Sequence, residues 1–162
     1  MYTLYACLCL NKALKVAPET TIVKTFDTNL GGTSANLTPN EFITLKDLYY
    51  GLMLPSGNDA AFILASYYGC WLLADITKTR TSKVLRVETL GDKATHLKMY
   101  VQKFMQYMNR VLVKEILRHK TTKFENPHGL SNKNQVSNVW ELSEACFLFL
   151  KNEVRTLSYI GF

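Results

Sequence analysis

Long apolar runs are missing from this 162-residue chain. None approaches the ~20 residues that a membrane-spanning helix needs. Cysteine pairs at zinc spacing are missing as well. Cys7, Cys9, Cys70 and Cys146 include no C-x-x-C, so small buried hydrophobes are the default reading, and the sequence leaves a disulfide open. His96, His119 and His128 form no ligand pair at helical spacing, so no metal and no other cofactor is expected. There is no internal repeat and no low-complexity stretch.

What is present fits one domain. The hydrophobic fraction is 48% and the charged fraction 20%, ordinary for a soluble globular protein. A chain of this length buries a sizeable core without disulfides or metal. The net charge of +6 is unevenly spread: Ile76 to Lys123 holds twelve Lys/Arg against three Asp/Glu. Such a surplus can attract nucleic acid or anionic surfaces. No nucleic-acid motif accompanies it, so a solvated helix face and a basic loop are expected.

The opening "MYTLYACLCLNKALK" has the apolar length of a signal-peptide core. No positive charge precedes it, and Lys12 and Lys15 follow it. A buried helix over Tyr2 to Leu14 is the better reading, stopped by Pro18. The Thr-rich, β-branched run "ETTIVKTFDTNLGGTSANL" predicts one or two short strands and a loop. Thr44 is a plausible N-cap for a helix whose stripe is Leu45, Leu48, Tyr49 and Leu52. Pro55 ends it after Leu54. Asn58 reads as the N-cap of the next helix, Asp59 suits its first turn, and Gly69 fits just past its end, with Cys70 following. Residues 76–96 read as a charged loop insertion. Helical spacing returns from Leu97 to Ile116. The connection "TTKFENPHGLSNKN" is turn-rich. Ser137 or Asn138 then caps a last helix with the stripe Leu142, Ala145, Cys146, Phe149 and Leu150.

The sharpest local feature is Ser56-Gly57-Asn58, a tight joint between two helices. Gly57 permits φ > 0 or a close backbone approach. Ser56 and Asn58 can then face one side, towards a cleft. Taken alone, the tripeptide reads as a helix cap and a turn.

Its context points further. "LKDLYYGLMLPSGNDAAFILASYYG" resembles the S-G-N segment of the serine D-alanyl-D-alanine carboxypeptidases, low-molecular-weight penicillin-binding proteins of β-lactamase-like fold. "GGTSANLTPNEFITLKDL" resembles the loop leading into that helix. "YMNRVLVKEILRHKTTKFENPHGL" and "QVSNVWELSEACFLFLKN" resemble later family segments, in the family's order. The likeness covers most of the chain except about Leu72 to Tyr100, which is longer than the usual bacterial spacing.

The resemblance implies an α/β (α+β) β-lactamase/DD-peptidase-like fold. This chain would hold mostly the helical lobe with one or two short strands, and the central sheet would be largely missing. It implies a single partial domain over residues 1–162 that hydrolyses peptidoglycan stem peptides through an acyl-enzyme. D-Ala-D-Ala peptides or β-lactams would be the partners, at an extracytoplasmic location, although no convincing signal peptide is present. Ser56 would relay a proton, Asn58 would hold the substrate carbonyl, and Gly57 would line the substrate site. Read from the residues themselves, Asn126, Pro127 and Gly129 are expected to make a structural turn, with His128 exposed beside them.

Two motifs that the family needs are absent from the 162 residues. There is no Ser-x-x-Lys; Thr21-Ile22-Val23-Lys24 is the nearest approach, in a strand-like run. There is no Lys-Thr-Gly; Lys120-Thr121 lacks the glycine and precedes the N-P-H-G-L segment. The likeness of "MYT-L" to residues just after the catalytic Lys leads us to expect a Ser-x-x-Lys immediately upstream of Met1 and a Lys-Thr-Gly downstream of Phe162. The alternatives are a non-catalytic homologue acting as a binding or structural module, and a basic helical interaction module.

Overall fold

A computed structural model describes residues 2–28, 30–76, 94–115 and 121–153. The chain is α+β: helix α1 (Tyr2–Leu14), strands β1 (Ile22–Lys24) and β2 (Phe42–Thr44), then helices α2 (Leu45–Met53), α3 (Asn58–Ile76), α4 (Ala94–Glu115) and α5 (Val139–Glu153).

The apolar opening does form a helix over Tyr2–Leu14. Its stop comes before Pro18. Lys15 takes φ +54, and the Val16 N–H returns to the Asn11 carbonyl at 3.0 Å. This left-handed residue satisfies carbonyls at a helix end. The strands pair antiparallel with Val23 opposite Ile43. β1 lies within the Thr-rich run, whereas its partner comes from Phe42–Thr44, beyond that run.

Thr44 caps α2 as its sequence suggests. Its hydroxyl accepts the Asp47 N–H at 3.0 Å and donates to the Asp47 carboxylate at 2.6 Å. Asn138 caps α5, its Oδ1 accepting the Glu141 N–H at 2.9 Å. Glu141 in turn is buried, with 1% exposure. It accepts N–H and hydroxyl bonds from both Thr121 and Thr122, tying that segment to α5.

Apolar residues on all sides place α3 in the centre, as expected of a helix without a solvent face. It packs against α1, α2 and α4. Leu4, Cys7 and Leu10 of α1, Leu48 and Leu52 of α2, Ile63 and Leu64 of α3, and Phe104 and Met108 of α4 share one core. The expected helix end at Gly69 is corrected: α3 continues to Ile76, and Cys70 is buried within it. Gly69 is instead a point where the α4 backbone passes close to α3. A Cβ there would lie 1.9 Å from the Tyr100 carbonyl oxygen.

The expected loop insertion over 76–96 falls mainly on residues 77–93, outside the described residues; its last three residues already belong to α4. On α5, Leu142 and Cys146 are half-buried, while Trp140 and Phe147 are exposed.

Asn11, Tyr49 and Tyr68 join three helices through a closed ring of hydrogen bonds. The Asn11 amide donates to the Tyr49 hydroxyl at 2.6 Å, the two tyrosine hydroxyls bond, and Tyr68 donates to Asn11 Oδ1. Burial pushes both tyrosine hydroxyls well above their ordinary pKa. Each hydroxyl gives one bond and takes one, which is how buried polar groups are tolerated. Tyr68→Phe should cost about 1–3 kcal/mol, because it strands the Asn11 oxygen and the Tyr49 hydroxyl. In thermal melts, the Tyr49→Phe/Tyr68→Phe pair should cost less than the sum of the single changes. Additive losses would show that the ring is not a coupled unit.

Candidate functional site

The helix-to-helix joint is built from backbone outwards. α2 ends with the Leu54 N–H on the Tyr50 carbonyl at 2.9 Å. Ser56 then adopts φ +56, a left-handed conformation that costs a non-glycine residue free energy. The sequence suggests Gly57 for this role, yet Gly57 serves the other purpose, close approach. A Cβ at 57 would meet the Gly51 carbonyl oxygen at 2.6 Å and Ala35 Cβ at 2.9 Å. The Gly57 N–H donates to the Gly51 carbonyl at 3.0 Å, which seals the joint.

Ser56 is exposed. Its carbonyl accepts the Thr33 hydroxyl at 2.6 Å, while its own hydroxyl takes no protein partner among the described residues. Asn58 is buried at 5% exposure. Its N–H donates to the Thr33 carbonyl at 2.9 Å and its side-chain amide to the Gly31 carbonyl at 2.8 Å. The Asn58 side chain therefore binds the Gly31–Gly32 loop and does not cap α3. The structure thus holds Ser56 at the surface and Asn58 beneath the loop, one residue apart on either side of Gly57. Asn58 Oδ1 accepts no hydrogen bond among the described residues.

Asp59 is the residue whose role sequence reasoning missed. Its position in the first turn of α3 signals a favourable helix dipole. In fact its carboxylate anchors the covering loop, accepting the Ser34 hydroxyl at 2.7 Å, the Ala35 N–H at 2.8 Å and the Leu37 N–H at 3.2 Å. It also accepts its neighbour Ala60 N–H at 2.9 Å. Burial acts to raise the Asp59 pKa, but these four bonds outweigh it and hold the carboxyl below its ordinary value. A fixed anion thus stands in the first turn of α3, next in sequence to Asn58, and holds the loop that covers it. An acidic residue 22–25 positions after a Ser/Thr/Gly-rich run was the available signal, too weak to use without contacts.

The N-P-H-G-L turn lies beside this joint. Asn126 closes it, Oδ1 accepting the Gly129 N–H at 2.7 Å and the amide donating to the Leu130 carbonyl at 2.8 Å. Asn126 is thus a turn residue, as expected. The expected exposure of His128 is corrected: it is half-buried, and burial lowers its pKa. Leu130 approaches Gly32 closely enough that a Cβ there would sit 3.2 Å from it and 2.5 Å from the Asn58 amide nitrogen. On the other side of the turn, Thr3 in the first turn of α1 donates its hydroxyl to the Pro127 carbonyl. The Tyr2 ring packs on Phe124 with centroids 4.9 Å apart. An open pocket of about 240 Å³ is lined by Tyr2, Thr3, Met108, Pro127 and His128 among others.

The near-miss motifs have other employment. The Thr21 hydroxyl donates to the Ala17 carbonyl at 2.8 Å, and Lys24 lies in β1 opposite Phe42. Thr121 is engaged by Glu141. The chain matches no family model and no curated protein.

Proposed function

We propose that this chain is the S-G-N-bearing helical part of a serine-type D-Ala-D-Ala carboxypeptidase domain of β-lactamase-like fold. One observation carries the reading. The first turn of α1, the N-P-H-G-L turn and the Ser56-Gly57-Asn58 joint converge through Thr3–Pro127 and Leu130–Gly32–Asn58. A nucleophile on a turn preceding α1 would enter the same neighbourhood. Strain placed at Ser56, with an adjacent glycine left unstrained, also favours a positioned hydroxyl over a passive turn.

In this reading the nucleophile and its Lys come from a Ser-x-x-Lys outside these residues. The exposed Ser56 hydroxyl passes a proton between that Lys and the leaving D-alanine amine. Asn58 has one open amide hydrogen for the substrate carbonyl, because its other hydrogen is spent on Gly31, and an open Oδ1 for the Lys ammonium. The Gly57 backbone lies alongside the substrate. The carboxylate of Asp59 fixes the loop that sets the position of Asn58. Substrates would be D-Ala-D-Ala peptides, with β-lactams as acylating analogues, and no cofactor would take part.

These 162 residues should not be labelled covalently by a fluorescent penicillin, since Ser56 has no base beside it among the described residues. Sequencing the transcript tests the reading, which needs a Ser-x-x-Lys and a Lys-Thr-Gly in addition to these 162 residues. A stoichiometric acyl adduct on Ser56, read by mass spectrometry, would instead make Ser56 the nucleophile. A message without either motif would favour the non-catalytic homologue, a binding module on the same scaffold.

A further inference from the structure

A groove of about 520 Å³ runs along one stripe of α4 and shares Phe124 with the pocket beside the N-P-H-G-L turn. Its floor is apolar: Val101 and Met105 from α4, Phe62 from α3, and Phe124 from the segment beyond α4. Phe62 is steadied by Phe26, ring edge to ring face, with centroids 6.1 Å apart. Phe124 is steadied by Asn109, whose side chain bonds both the N–H and the carbonyl of Phe124 at 2.9 and 2.8 Å. Asn109 has therefore spent its polar atoms on the protein and braces the floor.

The two ends differ in charge. At the Phe124 end, Lys123 is ion-paired with Glu125, so that cation is neutralised. At the opposite end, Lys98 is exposed and makes no ion pair or hydrogen bond among the described residues. Gln102, one turn further along the same face, is likewise exposed and unbonded among them. Lys98 to Asn109 spans roughly 17 Å at the rise of an α-helix. The groove is therefore long, greasy along its bed and cationic at one end only. Its size lies in the range of small-ligand sites.

We propose that this groove binds an acyl carboxylate, a chain-like apolar ligand with one terminal anion. The carboxylate meets the Lys98 ammonium and the Gln102 amide. The chain lies over Val101 and Met105 against Phe62, and its tail reaches Phe124. Length favours a chain over a compact ring, and Lys98, the one unpaired cation among the described lining residues, favours one anionic end. The proposal is independent of the peptidase reading, because it uses neither Ser56 nor Asn58.

Decanoate is the probe, with decanol and decyltrimethylammonium as neutral and cationic counterparts. Titration calorimetry on the 162-residue chain should show decanoate binding more tightly than either, with affinity falling as salt rises. Amide shifts in ¹⁵N correlation spectra should centre on Val101, Gln102, Met105 and Phe124. Lys98→Glu, an exposed change that leaves the floor intact, should weaken decanoate about tenfold. Lys12→Glu, the same charge change at an exposed position of α1, should leave affinity unchanged. The proposal is overturned if decanoate does not bind, if decanol binds as well as decanoate, if Lys98→Glu and Lys12→Glu act alike, or if the shifts fall on the exposed Trp140 and Phe147 of α5.

Discussion

Gly69→Val should lower the melting temperature by about 10 °C. The reason is steric and involves backbone on the opposing side. A Cβ at 69 would stand 1.9 Å from the Tyr100 carbonyl oxygen and 2.5 Å from its carbon. No rotamer can relieve a clash with main chain, so α4 must move away from α3. Overpacking of this kind costs typically 1–3 kcal/mol and more where the backbone has to shift. For a domain of this size each kcal/mol moves the midpoint by roughly 2–4 °C. Gly69→Ala should act in the same direction with a smaller loss. Truncating the opposing side chain, Tyr100→Ala, should not rescue either variant, since the obstructing atoms are not in it. A full rescue would mean that side chains, and not backbones, set the distance between α3 and α4.

That contact also shows where sequence reading stops. Gly69, placed just after the Ile63, Leu64, Tyr67 and Tyr68 stripe, imitates a helix terminus, and only the approach of α4 explains the glycine inside α3. Signals that are local were legible. Thr44 and Asn138 bond N–H groups three residues away, and α1 follows from its own apolar content. Strand β2 was missed because three residues, Phe42–Thr44, are too few for a periodic signal, and pairing with β1 defines them.

The candidate site follows the same rule. Ser56-Gly57-Asn58 could be singled out in the sequence as a tight joint between two apolar helices. The division of labour inside it could not. The left-handed turn falls on Ser56, and the bare glycine is demanded by Gly51 and Ala35, which are near only after folding. The Asn58 side chain faces Gly31, 27 residues earlier. The anchoring function of Asp59 rests on Ser34, Ala35 and Leu37, so no window around Asp59 contains it.

Acid should unfold the chain through two carboxylates in particular, Glu141 and Asp59. Burial of Glu141 favours its neutral form, but the bonds from Thr122 and Thr121 prevail and hold its pKa at about 2, against an ordinary 4.5. Asp59 is likewise held below its ordinary 3.8. A carboxyl with a depressed folded-state pKa binds its proton more readily when unfolded. Its contribution to stability is therefore complete above the unfolded value and declines as pH falls towards the folded one. Stability should accordingly be flat above about pH 5 and fall from there towards about pH 2. Glu141→Gln keeps the shape but loses the charge that two threonines converge on, and should cost at least about 2 kcal/mol at neutral pH. It should also flatten the acid slope. Asp59→Asn should flatten the slope as well, with a second effect confined to the loop. Amides of Ala35 and Leu37 lose a charged acceptor, so their hydrogen exchange should accelerate well before global unfolding. Equal acceleration across α1 and α4 in the Asp59 variant would show that this carboxylate supports the whole domain and has no special hold on the loop above Ser56 and Asn58.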